Sequence, residues 1–177
     1  MTATDVRDGV LERLPDGRRR LRFERVLSHP VERVWAALTQ PGDLGGWWGD
    51  AELDLREGGE FVMRWRNTDP EGNRPVMHAT ITELDPPRLL ELSGDLHGVL
   101  RWELSPSGPD ATLLRFSSTL EIPDDHVASA LAGWHWHLDA LAEALQGRPA
   151  DLGTVDPGWH ALHERYQAQL GGPTPDR

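Results

Sequence analysis

Val127, Leu131, Trp134, Leu138, Leu141 and Leu145 recur at steps of three or four residues, so the spacing predicts one long amphipathic helix over 124–147. Asp124 and Asp125 stand at its start, where carboxylates suit free amides and the helix dipole. Gly147 follows its last turn, as expected of a C-terminal cap. Burying such side chains is worth roughly 1.5–3 kcal/mol each, so a large apolar surface has to receive the stripe.

Upstream, the period changes from helical to two. Val10–Leu14, the turn Pro15-Asp16-Gly17 and Arg18–Leu27 read as a hairpin, with Leu21, Phe23, Arg25 and Leu27 on one face. Residues 1–8 read as a loose polar start. Pro30 is suited to the first position of a short helix carrying Val31, Val34, Trp35 and Leu38. Pro41–Trp48 reads as a second short helix or turn, weakened by Gly45 and Gly46. Alternating strands then follow around Leu53 and Leu55; Phe61, Met63 and Trp65; Val76–Leu84; Leu89–Gly94; Leu100, Trp102 and Leu104; and Leu114, Phe116, Ser118 and Leu120. Short turns between them imply an antiparallel meander with one covered face. The expected fold is α+β: a curved antiparallel sheet around the long helix, with two short helices between the first two core strands. A last helix at about 157–170, opened by Asp156-Pro157, carries Trp159, Leu162, Tyr166 and Leu170. This divides the chain into a tail with an extra strand (1–17), a core (18–147) and a C-terminal extension (148–177).

Composition narrows the function. The 177 residues fit one domain with tails. With no cysteine there is no disulfide, thiolate metal site or cysteine nucleophile, which fits a reducing compartment. No run of about 18 apolar residues is present to span a membrane. The start lacks a signal-peptide apolar core, so a cytoplasmic protein is expected. A net charge of −11 argues against nucleic acid as a partner. Eight tryptophans are many for this length, and most fall in the expected core elements.

Four segments resemble the START-like (SRPBCC, or helix-grip) superfamily, and within it the bacterial relatives of the Hsp90 ATPase activator C-terminal domain. They are Arg25–Pro30 with Val34–Thr39; Leu44-Gly45-Gly46-Trp47-Trp48; Leu55–Phe61 with Leu84–Leu89; and Gly133-Trp134 with Leu138, Leu141, Leu145 and Gly147. Together they span about residues 20–147. The resemblance implies a sheet of about seven strands gripping the long helix, with a cavity between them. Where related strands near Leu90 carry aromatics, this chain has Glu91 and Ser93, which either make the cavity more polar or face solvent.

The expected cavity lining is Leu55, Phe61, Met63, Trp65, Trp102, Phe116 and Ser118 from the sheet, and Leu131, Trp134, His135 and Leu138 from the helix. Arg25, Ser118 and His135 supply its polar groups, and Trp47 and Trp48 cover one end. The alternative is that these side chains fill the space completely. His135 and His137 project about 200° apart on a helix and cannot chelate one ion. His135 and Asp139 are one turn apart and can pair. His137 is expected at a solvent or dimer surface, and Arg25 is expected to pair with Glu91. His160 and His163 share a helix face but have no evident third ligand, so no metal and no cofactor are expected. Neither GxSxG nor a phosphate-binding glycine loop occurs. The leading expectation is non-catalytic binding of a small hydrophobic or aromatic molecule. A cyclase- or dehydratase-like enzyme using His135 and Asp139 is one alternative, and a co-chaperone-like or stress-response interaction module is another. The apolar stripe of the last helix suggests a homodimer if its own domain does not cover it.

Overall fold

Alternation of apolar and polar residues along nine positions makes β2 (Arg19–Leu27) a half-buried strand, with Leu21, Phe23, Arg25 and Leu27 turned inward. The computed structural model describes residues 7–68, 71–154 and 157–171, and it sets this strand in one antiparallel sheet of eight. β1 (Val10–Arg13) pairs with β2 through the Pro15-Asp16-Gly17 turn, where Gly17 takes φ +88°. The other strands are β3 (Asp50–Leu53), β4 (Glu60–Arg64), β5 (Val76–Asp85), β6 (Leu89–Gly94), β7 (Gly98–Pro106) and β8 (Thr112–Leu120). Their spatial order is β1-β2-β8-β7-β6-β5-β4-β3. The last strand therefore closes against β2, with Phe23 opposite Phe116 and Arg25 opposite Leu114.

The chain leaves β2 and reappears at the far edge in β3. Two short helices, α1 (Val31–Thr39) and α2 (Pro41–Leu44), make that crossing. Pro30 is the N-cap of α1 rather than its first residue, because its ψ of 157° is still extended. Leu55 falls beyond β3 and is 39% exposed, so it does not face the helix as expected; the strand ends at Leu53 and the chain turns there toward Gly58-Gly59.

The long helix is α3 (Asp124–Leu145), and all six residues of the expected stripe are buried. Its C-terminus closes as a Schellman motif: the Gly147 N–H donates to the Ala144 carbonyl and the Arg148 N–H to the Glu143 carbonyl, with Gly147 at φ +80°. The N-terminus departs from expectation. Pro123 is the N-cap with no side-chain cap bond, and the Asp124 carboxylate turns to Arg19 at 3.0 Å and Arg13 at 3.5 Å. Those arginines hold its pKa below the usual range.

The final helix, α4 (Pro157–Gly171), packs along α3 of the same chain and buries Tyr166 completely. Trp159 and Leu162 are half-buried against the same core, while Leu170 at the end of the stripe is exposed. Asp156, expected as its cap, and the tail after Gly171 lie outside the described residues. No helix among the described residues is long and apolar enough to cross a membrane.

The sheet's outer face is polar, and its arginines meet carboxylates. Arg101 bonds Glu83 at 2.7 Å and Glu91 at 2.8 Å, Arg115 bonds Glu24 at 3.0 Å, and Arg20 bonds Glu12 at 3.3 Å. Glu91 and Ser93 belong to this outer face, which resolves the choice left open for them.

Leu138 is fully buried where α3 meets the sheet. Leu138→Ala is expected to lower stability by about 2–5 kcal/mol through cavity formation, read by denaturant unfolding with an unchanged slope.

Candidate functional site

The space between α3 and the sheet is occupied by aromatic rings. Trp134 of α3 lies 4.5 Å from Phe116 of β8 and 5.5 Å from Trp48, centroid to centroid. Trp102 of β7 completes the cluster, 4.9 Å from Phe116 and 5.3 Å from Trp48. Phe61 adds a further ring 5.6 Å from Trp48. These separations are those of direct ring packing. Met63, Leu131 and Leu138 are buried beside them.

Open space begins where this layer ends, at the mouth between α3, the end of β4 and the C-terminal extension. A cleft of about 370 Å3 lies there. Trp48 and Trp65 wall it from the sheet side, Gly133, Trp136 and His137 from α3, and Leu152, Thr154 and Trp159 from the extension, with Asn67 at the rim. Three local features hold this shape. The extension is pinned to the α2 turn by the Ala150 N–H donating to the Gly46 carbonyl at 2.8 Å. Gly46 admits it closely, since a Cβ there would stand 3.3 Å from Pro149. The Trp47 indole donates to the Ala37 carbonyl at 2.9 Å, which fixes the two-tryptophan connector.

His137 also fastens that connector. Its Nδ1 lies 2.8 Å from the Trp47 carbonyl, which can only accept, so the proton sits on Nδ1. Burial pushes its pKa down to about 4. His97, between Trp65 and Trp134 at 5.4 Å from each, is lowered by burial as well, against the opposing pull of Asp95.

Two of the expected polar groups, Arg25 and His135, gather elsewhere, beneath α4. The His135 Nδ1 is 2.8 Å from the Tyr166 hydroxyl, and its Nε2 is 3.4 Å from Asp139. The Tyr166 hydroxyl accepts the Gly9 N–H at 2.7 Å and shares its second hydrogen bond with His135. Arg25 reaches the Arg7 carbonyl at 2.6 Å and Asp139 at 3.5 Å, not Glu91, which β6 carries on the opposite face. Asp8 bonds Gln169 at 2.9 Å and pairs with Arg165. Residues 7 and 8, expected to be loose, are thereby drawn in, and Asp8 is buried. Burial lowers the Arg25 pKa, while the Asp139 charge opposes the shift. Burial raises that of Tyr166. For Asp139 burial pulls upward, but the bond to His135 and the charge of Arg25 hold its pKa below the usual range.

The expected site residues therefore divide. Trp48 and Trp65 reach the cleft, while Trp47, Phe61, Trp102, Phe116 and Trp134 form or brace the layer behind it. Arg25 and His135 lie in the network under α4. Ser118 is fully buried and donates to the His97 carbonyl at 3.0 Å. His137, expected on an outer surface, is instead tied to the connector and lines the cleft. Trp136, Trp159, Leu152 and Gly133 also line the cleft, and the sequence signal for them is the excess of tryptophan, with Trp136 standing off the α3 stripe. His163, weighed as a metal ligand, bonds Ser129 at 3.2 Å and stacks on Trp159.

One antiparallel sheet closed on a long C-terminal helix, with a recess at the mouth of the grip, defines a START-like helix-grip protein. Residues 28–146 match the family described as Activator of Hsp90 ATPase homolog 1-like protein. The chain belongs to that family. Among solved structures it is similar to CalU16 from Micromonospora echinospora, at 26% identity over 96% of both chains and a TM-score of 0.69. It is also similar to the protein encoded by gene BPP1335 of Bordetella parapertussis, at 28% identity over 94% of both chains and a TM-score of 0.64. The conserved protein of unknown function EF2215 from Enterococcus faecalis shares the fold at a TM-score of 0.71 and 22% identity, over 92% of this chain and 90% of that one. No functionally curated protein matches the chain.

Two expectations follow. Tyr166→Phe strips the Gly9 N–H of its acceptor and His135 Nδ1 of its partner, and should cost about 1–3 kcal/mol, with faster hydrogen exchange at the Gly9 amide. His137 refuses a proton that the unfolded chain takes up between pH 6.5 and about 4. Its contribution is therefore fully present above pH 6.5 and falls as the pH drops toward 4. Unfolding curves across this range should show a shallower loss in His137→Asn than in the parent.

Proposed function

We propose that this protein is a cytoplasmic, non-catalytic binder of a small planar hydrophobic or aromatic molecule, held in the tryptophan-walled cleft. The observation that carries the reading is the union of about 370 Å3 of open space with four tryptophans, Trp48, Trp65, Trp136 and Trp159, around it. A recess of this size and apolar lining suits one small ligand. Indole faces provide large contact area and ring stacking at little conformational cost. Gly133 leaves the helix backbone bare at the wall, since a Cβ there would meet nothing nearer than the Trp159 indole nitrogen at 3.9 Å.

The other readings draw less support. The cyclase-like reading asks His135 and Asp139 to move protons on a substrate. His135 is buried with both nitrogens engaged, and Asp139 is shared with Arg25. An interaction module would be favoured by a contiguous apolar patch on α4. Tyr166 is buried there, Leu170 is the one exposed large apolar residue described on α4, and the others, Val10, Val26, Leu55 and Leu96, are scattered along the chain. The cleft is walled by residues of one chain, so the function proposed here needs no second subunit. Nucleic acid is not among the proposed partners, since the outward arginines are shared with carboxylates.

The test is titration with naphthalene-sized probes, followed by tryptophan fluorescence. Saturable quenching with a Kd on the order of 1–100 μM is expected. Gly133→Leu should remove it by filling the recess, while the gain of up to about 1 kcal/mol from replacing a helical glycine preserves the fold. Quenching that persists unchanged in Gly133→Leu would place the probe elsewhere and defeat the proposal.

A further inference from the structure

The open space of the cleft abuts a hydrogen-bond donor that the protein leaves unused. A Cβ built on Gly133 of α3 would meet a single heavy atom within 4 Å, the indole nitrogen of Trp159 on α4 at 3.9 Å. Both residues line the recess, so this Nε1 stands at the border of the space that the bare glycine leaves. It has no acceptor among the described residues. The indole nitrogens shut off from solvent without a partner are those of Trp48 and Trp102, whereas Trp159 is half-buried and its nitrogen is reachable from the recess. The ring is also held in place. His163, one turn further along α4, stacks on Trp159 at 4.9 Å and 16°, and its Nε2 lies 3.2 Å from the Ser129 hydroxyl of α3. Trp159 therefore offers its N–H from a ring braced on both helices.

We infer that the cleft takes a neutral aryl ketone, whose carbonyl oxygen accepts from Trp159 Nε1 beside the bare Gly133 backbone. The inference rests on the binding function proposed above and adds the group that orients the ligand. An indole nitrogen only donates, and a carbonyl oxygen meets it without bringing a proton of its own to place. A carboxylate would also accept, but it carries charge into an apolar recess of a protein whose net charge is already −11. An ammonium has only protons to offer. A plain hydrocarbon ring would strip the N–H of water and leave it unmatched, which costs free energy. Trp159 is thus the specificity-determining residue of the cleft, and Gly133 keeps its N–H uncovered.

The experiment compares 2-acetonaphthone with 2-isopropenylnaphthalene, which has the same shape with a CH2 group in place of the oxygen, by calorimetry at pH 7. Each is titrated into the parent protein and into Trp159→Phe, which keeps an aromatic wall and loses the N–H. The ketone-to-alkene affinity ratio is expected to be at least about threefold larger in the parent than in the variant, as one neutral hydrogen bond implies. A smaller change would overturn the ketone inference and leave the cleft standing. So would tighter binding of 2-naphthoate than of 2-acetonaphthone to the parent. A second readout does not depend on the variant's affinity. The indole 1H–15N resonance of Trp159, identified by its absence in Trp159→Phe, should move further downfield with the ketone than with the alkene. Equal movement with both would also overturn the inference. Failure of both compounds to bind the parent would overturn the cleft as well.

Discussion

The packing of Trp134 against Phe116, Trp102 and Trp48 is the contact on which the rest of the structure depends. It joins α3 to β8, β7 and the connector between the short helices and β3, regions far apart in sequence. Ring contacts of this kind bury large areas with defined geometry, so they fix position as well as adding stability. Once Trp134 is seated, the stripe from Val127 to Leu145 lies on the inner face of the sheet, and the connector is held beneath it. The same seating also places function. Four bulky rings fill the centre of the grip, and space for a ligand moves outward to the mouth, where the C-terminal extension provides the remaining wall.

The network beneath α4 is the second constraint. It joins the N-terminal segment, β2, α3 and α4 through Asp8, Arg25, His135, Asp139 and Tyr166. Buried charges are tolerated only when paired and hydrogen-bonded, and removing one member is usually costly. This geometry explains why His135, the most chemically suggestive residue of the long helix, serves as a joint. Its ring is closed off on both nitrogens, whereas His137, two residues on and turned to another face, fastens the connector through Nδ1 and lines the cleft. Two histidines of one helix thus acquire opposite roles from what lies across from each.

Local pattern reached far into the fold. The period of two identified the inward faces of β2, β7 and β8, and the steps of three and four identified the buried stripe of α3, because each periodicity records one-sided burial. Gly147 announced the helix end through its need for a left-handed conformation. Pattern did less well where partners are remote. Nothing local indicates that Asp124 meets Arg19, that Arg25 meets Asp139, or that Asp8 is buried under a helix more than 150 residues away. Leu55 carried a strand-like signal into a turn, since alternation does not show where pairing stops.

The sequence by itself determined the fold class, the order of elements and the surface each one buries, because these follow from side-chain periodicity, turn residues and caps. Tertiary structure alone decided whether the gripped space is open or filled, which tryptophans face the cleft, and which histidine lines it. Those outcomes depend on ring-to-ring fit and on which backbone carbonyl lies within 3 Å of an imidazole, distances set by contacts among segments that the chain brings together only on folding.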